Sequence, residues 1–122
     1  EGTSSDGNRV MPFKTALFAA AGLGPIAETG TDDTIFAQTL ALAYTHRHGL
    51  PLGRRGRSSV AWFGDKELAS HAWTVLKGGP LDVHVKIGEP LDVRHFQNRK
   101  VLALYSERRV REDVMSLRTA RG

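Results

Sequence analysis

The residues with the most chemical potential stand first. Glu1, Gly2, Thr3, Ser4 and Ser5 set a carboxylate, a glycine and three hydroxyls side by side, and Arg9 and Lys14 follow closely. A glycine lets another molecule approach the main chain, and hydroxyls and amides then offer donors and acceptors, so the run reads like a binding loop for a polar or anionic group. Taken alone it is equally an ordinary surface turn. Two other arrangements invite chemistry and fail on geometry. His84 and Glu89 are spaced as an acid–base pair, yet in an alternating strand residues five apart face opposite ways unless Gly88 makes a bulge. His46 and His48 would share a face of an extended segment, but no acidic or histidine partner stands near them in the sequence, so they read as solvated and no metal site is expected. With no cysteine, a disulfide framework, a thiolate nucleophile and cysteine-ligated metals are excluded.

The elements that would position these residues follow in order. Gly2, Ser4, Ser5, Asp6, Gly7 and Asn8 are turn formers, so residues 1–11 form a loop. Pro12 opens a helix carrying Phe13, Leu17 and Phe18 at helical spacing, which Gly22, Gly24 and Pro25 stop. IFAQTLALAYT, from Ile35 to Thr45, suits a strand buried on both sides, with Leu40, Leu42 and Tyr44 on one face and Ala41 and Ala43 on the other; so short an apolar run also admits a helix. HRHGLPLGRRGRSS, residues 46–59, reads as an exposed basic loop.

A helix is predicted from Asp65 to about Lys77, with Leu68, Ala69, Ala72, Trp73 and Leu76 as its apolar stripe and Gly78, Gly79 and Pro80 at its end. Leu81, Val83, Val85 and Ile87 alternate with Asp82, His84 and Lys86 as in a half-exposed strand. Asn98 or Arg99 begins a last amphipathic helix with Val101, Leu102, Leu104, Tyr105, Val110, Val114 and Leu117 on one face and Arg108, Arg109, Arg111 and Arg118 on the other. The alternation argues for an α/β sheet protein. Two strands do not make a stable sheet, so further strands are expected ahead of Glu1.

The length, 122 residues, suits one domain or part of one, and the formal charge of +4 favours an anionic partner: a phospholipid surface, a phosphorylated substrate or nucleic acid. Nucleic acid is set aside, because the aromatic and basic interleaving of single-strand binders and any recognition-helix pattern are missing. Trp62, Phe63 and Trp73 read as core or membrane-interface anchors. No stretch approaches the roughly 18 apolar residues of a spanning helix, so a membrane would be met from the side.

EGTSSDGNRVMPFKTALF resembles the third sequence block of the glycerolipid acyltransferases, the lysophosphatidic acid acyltransferase superfamily. That block is usually Phe-Pro-Glu-Gly-Thr-Arg-Ser, followed by Pro-Phe-Lys and an apolar helix. Glu1, Gly2, Thr3 and Ser5 match its first half, and Pro12, Phe13 and Lys14 its second, at the right spacing. AQTLALAYT looks like the fourth block, normally Val-x-Pro-Val and a strand, with Thr39 in the usual place of proline; VAWFGDKEL and a strand ending in GEPL recur in bacterial members. The likeness covers nearly the whole chain.

The resemblance implies the C-terminal part of a glycerol-3-phosphate acyltransferase-like α/β sheet flanked by helices. Residues 1–122 would be one portion of a single domain, with the family's catalytic His-x4-Asp lying upstream. It implies transfer of a fatty acyl group from acyl-CoA or acyl carrier protein to a lysolipid hydroxyl, with that thioester as co-substrate and no further cofactor. Location on the cytoplasmic face of the inner membrane, against an anionic surface, goes with it. Glu1, Gly2, Thr3, Ser4, Ser5, Arg9 and Lys14 would hold the acceptor, none of them moving a proton, and the reading asks Thr3 and Lys14 to share one cavity.

Ser4 replaces the arginine expected to clasp an acceptor phosphate. Either Arg9 or Lys14 substitutes, or the acceptor is zwitterionic, as in the subgroup resembling the acyltransferases that complete ornithine lipids; 1-acyl-glycerol-3-phosphate is the other acceptor. Arg47, Arg54, Arg55 and Arg57 would meet lipid head groups, the phosphates of coenzyme A, or only water. The alternative from another class is a small basic module that binds anionic membrane or RNA without chemistry.

Overall fold

The computed structural model of the chain describes residues 3–21 and 35–119. Glu1 and Gly2, and the helix-stopping Gly22, Gly24 and Pro25, lie outside the described residues. Within them, short strands and helices alternate as the sequence predicts. A 3-10 helix covers Thr15–Ala21; β1 is Phe36–Ala37, β2 Leu40–Arg47, β3 Leu50–Pro51, α1 Arg54–Val60, α2 Leu68–Lys77, β4 Leu81–Ile87, β5 Leu91–Asp92 and α3 Arg99–Thr119.

The β2–β4 ladder organises the fold. It is antiparallel, in register from Leu40 opposite Ile87 to Arg47 opposite Leu81, with an irregularity between Tyr44 and His46. The skipped residue, Thr45, behaves as a β-bulge. β3 continues from β2 through a tight hairpin whose central residues, His48 at φ 52° and Gly49 at φ 75°, both occupy the left-handed region that a two-residue hairpin turn requires. β1 and β5 pair antiparallel as a separate short ladder.

The predicted strand from Ile35 to Thr45 is thus broken at Gln38 and Thr39 and carried on to Arg47. Thr39, in the usual place of proline, is buried, and its carbonyl accepts a 2.8 Å bond from the Gly88 amide at the far end of β4. Burial on both sides is corrected: Ala41, Ala43 and Thr45 are buried, whereas Leu40 and Leu42 are exposed, as are Val83, Val85 and Ile87 on the cross-strand positions. The buried face is the one with small side chains, and α3 lies against it. Ala41, Val110 and Val114 form its core cluster, with Val10, Phe13 and Leu117 packed around them.

Helix α3 starts where the sequence predicts. The Asn98 side-chain oxygen accepts from the Lys100 and Val101 amides at 3.0 and 3.1 Å, an N-cap that satisfies two otherwise unpaired donors. Its inward face differs from the predicted stripe: Leu102, Ala103, Ser106, Val110, Asp113 and Val114 are buried, and Val101, Leu104 and Tyr105 are exposed. Asp113 is buried because it takes Lys86 from β4 at 2.7 Å and Arg109 at 3.6 Å.

The segment expected as an exposed basic loop instead contains β3 and α1. Arg47 points away from solvent chemistry: its Nε donates to the Gly78 carbonyl at 2.7 Å and so caps α2 at its negative end. Helix α2 begins three residues later than predicted and buries none of its own residues. Trp62 and Trp73 are exposed, not core. No helix among the described residues is long and apolar enough to cross a membrane.

Candidate functional site

The opening loop is built around one left-handed glycine and one asparagine. Gly7 sits at φ 74°, and a Cβ there would also press on Ala61 at 3.2 Å, so the turn and the close approach both call for glycine. The Asp6 carboxylate accepts from the Asn8 amide at 3.0 Å and from the Asn8 side chain at 3.0 Å, closing an Asx turn. Asn8's bond to it holds the Asp6 carboxyl below the ordinary carboxylate range.

Asn8 also reaches out to α1. Its side-chain nitrogen donates to Ser58 Oγ at 2.9 Å and to the Arg54 carbonyl at 3.1 Å, while Arg57 Nε donates to its oxygen at 3.0 Å. Arg57 also donates to the Leu52 carbonyl at 2.6 Å. It is therefore a half-buried strut between the loop and α1, which corrects the reading of it as a solvated or lipid-facing arginine; Arg54 and Arg55 remain exposed.

From the other side, α3 holds the same loop at three points. Arg118 donates to the Gly7 carbonyl at 2.6 Å and the Asn8 carbonyl at 2.8 Å; Arg111 reaches the Val10 carbonyl at 3.4 Å; Glu107 accepts from the Phe13 amide at 3.0 Å. Burial pushes the Arg118 pKa down, Arg57 nearby adds to this, and Asp6 opposes it. Arg111 and Arg118, expected on a solvated face, are thus structural ties.

Between loop, β2 and α3 lies an open cavity of about 460 Å³. Its lining mixes hydroxylic and cationic side chains, Thr3, Ser4, Ser5, Arg9 and Arg118, with apolar ones that include Phe13, Leu40, Leu42, Trp62, Val110 and Val114, a surface that suits an amphiphile.

Of the predicted site residues, the structure brings Thr3, Ser4, Ser5 and Arg9 to one wall. Lys14 is exposed and is not among the residues that line this cavity, while its neighbour Phe13 lines it and stacks on Phe18 at a ring separation of 6.1 Å. The cavity that Thr3 lines is therefore not shared with Lys14. Sequence reasoning missed Asn8, Arg57, Glu107 and Arg118. The Asp-Gly-Asn turn chemistry pointed to Asn8; nothing local pointed to the others.

The remaining titratable residues do not gather. His84 is exposed on β4 and Glu89 lies beyond the strand end. His46 does have an acidic neighbour, since the ladder sets it opposite Asp82 with 3.9 Å between ring and carboxylate, and His48 Nε2 lies 2.9 Å from the Gly78 carbonyl. Among the described residues no group of three or more histidines or acids is placed to hold a metal ion.

The chain is homologous over nine-tenths of its length to curated bacterial enzymes. It is 50% identical over 111 residues to the lyso-ornithine lipid O-acyltransferase of Brucella abortus (strain 2308), covering 91% of this chain and 41% of the relative. It is 43% identical over 113 residues to the enzyme of that name from Rhizobium meliloti (strain 1021), covering 92% and 38%. For that of Rhodobacter capsulatus, identity is 38% over 112 residues, covering 91% and 37%. The chain spans about two fifths of the length of these relatives. No family model matches it, and no solved structure does.

Proposed function

We propose that this chain supplies the acceptor-binding part of an O-acyltransferase that moves a fatty acyl group from acyl-CoA or acyl carrier protein to the hydroxyl of lyso-ornithine lipid, in membrane lipid biosynthesis. The observation that carries the reading is the identity of 38–50% along nine-tenths of the chain to three enzymes of that name. The mixed polar and apolar lining of the cavity supports it, because a lysolipid has a polar head and an apolar chain. Thr3, Ser4 and Ser5 offer hydroxyls to the head group, Arg9 offers positive charge, and Leu40, Leu42 and Trp62 offer apolar surface.

In the reaction, the acceptor oxygen attacks the thioester carbonyl carbon, the carbon–sulfur bond breaks, and the hydroxyl proton passes through a base to the departing thiolate. Among the described residues lining the cavity there is no histidine, aspartate or glutamate. We assign the base to the upstream His-x4-Asp implied by the resemblance, with the aspartate orienting the ring. Residues 1–122 then form the C-terminal, acceptor-side portion of one domain, and are inactive alone. Exposed Trp73 and Leu76 on α2, with Arg54 and Arg55, support location against an anionic bilayer, which the proposal places at the cytoplasmic face of the inner membrane.

Ser4 argues for the ornithine-bearing acceptor over 1-acyl-glycerol-3-phosphate, since a serine cannot clasp a phosphate with two parallel donors. The test is acyl transfer by the full-length protein from both thioesters to both lysolipids. Transfer to lyso-ornithine lipid is expected to dominate, and Ser4→Arg is expected to raise use of the phosphate acceptor about tenfold. Absence of transfer to either acceptor overturns the enzyme reading in favour of a binding module; an unchanged acceptor ranking removes Ser4 from head-group recognition.

A further inference from the structure

We infer that Arg118, near the end of α3, is the positioning residue that sets the opening loop in its binding conformation. The inference rests on the proposed acceptor site and adds a residue to it that no resemblance assigns.

Two consecutive peptide planes are fixed by one guanidinium. Nη2 takes the Gly7 carbonyl at 2.6 Å and Nη1 the Asn8 carbonyl at 2.8 Å. The peptide unit between Gly7 and Asn8 is then held at both ends, because its N–H is bound by the Asp6 carboxylate at 3.0 Å. The next unit, between Asn8 and Arg9, has its carbonyl held by the same group, and it leads into the residue whose side chain lines the cavity. Gly7 is at φ 74°, a conformation that glycine adopts readily, and the bond from Arg118 adds to the Asp6–Asn8 turn in holding it there.

The geometry calls for arginine specifically. A planar fork addresses two carbonyls with two fixed donors, whereas the lysine ammonium is a single point on a flexible stem. The third donor, Nε, is buried with no hydrogen-bond partner, so no acceptor elsewhere competes for the group's orientation. Arg118 also lines the cavity, together with Gly7 and Arg9 of the loop and Val110 and Val114 of α3. Arg57 reaches the loop through the Asn8 side chain instead and does not touch the Gly7 or Asn8 carbonyl. The two arginines therefore do different work: Arg57 anchors the loop to α1, and Arg118 orients its main chain.

The test uses the full-length protein with Arg118→Ala, Arg118→Lys and, as a control on the exposed side of α3, Arg108→Ala. Hydrogen exchange is followed on peptides covering residues 3–10 and 99–114, and acceptor and donor kinetics are followed in parallel. In both Arg118 variants, exchange in residues 3–10 is expected to quicken about tenfold while residues 99–114 stay protected. Acceptor KM is expected to rise about tenfold with kcat within about twofold and donor KM unchanged. Lysine is expected to restore little, and Arg108→Ala to change nothing. Unchanged exchange in residues 3–10 of folded Arg118→Lys overturns the inference, as does a parallel loss of protection in both peptides. If the unmodified protein transfers no acyl group, the proposed activity fails, and the exchange measurement alone decides the role of Arg118.

Discussion

The two faces of the β2–β4 ladder make opposite use of their side chains. One carries Ala41 and Ala43, buried with α3 against them, and across from these the half-exposed Lys86 and exposed His84; the other carries Leu40, Leu42, Val83, Val85 and Ile87 and is exposed. Hydropathy alone would bury the second. What decides is approach distance, because a helix can settle closely on alanines, while the Lys86 ammonium reaches Asp113 on that helix. The same helix then has its polar residues free to hold the opening loop. Small residues on a strand therefore mark where another element lies near, and large ones on the opposite side mark surface still available to a further partner.

The largest effect expected from breaking this contrast is at Leu102, which is fully buried in α3. Leu102→Ala should cost about 2–5 kcal/mol in urea unfolding. Next comes the charged pair between strand and helix. Lys86→Met should destabilise by about 1–3 kcal/mol, since it strips a hydrogen-bonded partner from a buried carboxylate, and a second change, Asp113→Leu, should recover most of that loss. Recovery would show that the pair is kept for arrangement more than for stability; continued loss would show that the charge itself holds α3. On the exposed face, Val85→Thr keeps β-branching and should stay within about 0.5 kcal/mol of the unmodified chain.

The smallest effect is a pH dependence at the short β1–β5 ladder. Arg94, bound to the Asp92 carboxylate through its side chain and its amide, pulls the Asp92 pKa down from 3.8 to about 2. A folded value below the unfolded one means that the contribution is complete above about pH 4 and is lost as pH falls toward 2. A carboxyl NMR titration should find the Asp92 midpoint near 2; a midpoint near 4 would mean that the bond to Arg94 is not kept in solution.

Much of this was legible in the sequence where the signal is local. Asn98 at the start of α3 and the glycines after α2 announce their roles through capping and turn chemistry within a few residues; the alternation of β4 marks it as a strand, but the apolar face it would bury, Val83, Val85 and Ile87, is exposed. The binding loop was legible as a loop, from Asp6, Gly7 and Asn8. Its supports were not, because Arg57 and Arg118 meet it across 49 and 110 residues of chain and nothing local distinguishes a tying arginine from a solvated one. Helix α1 escaped notice for a related reason: RRGRSSV is a poor helix by propensity, and bonds from Asn8 to Arg54 and Ser58 add tertiary support. Lys14 shows the converse, a residue matching its motif that one step along the chain carries away from the cavity.

The central claim is that the hydroxylic wall formed by residues 3–9 holds a lysolipid head group. The most direct measurement is photolabelling of the full-length protein with a lyso-ornithine lipid bearing a diazirine on its head group, followed by peptide mapping. The account predicts label on residues 3–10, reduced by excess unlabelled lipid and by Arg118→Ala. Competable label confined to α2 or to Val83, Val85 and Ile87 of β4, with none on residues 3–10, would contradict it.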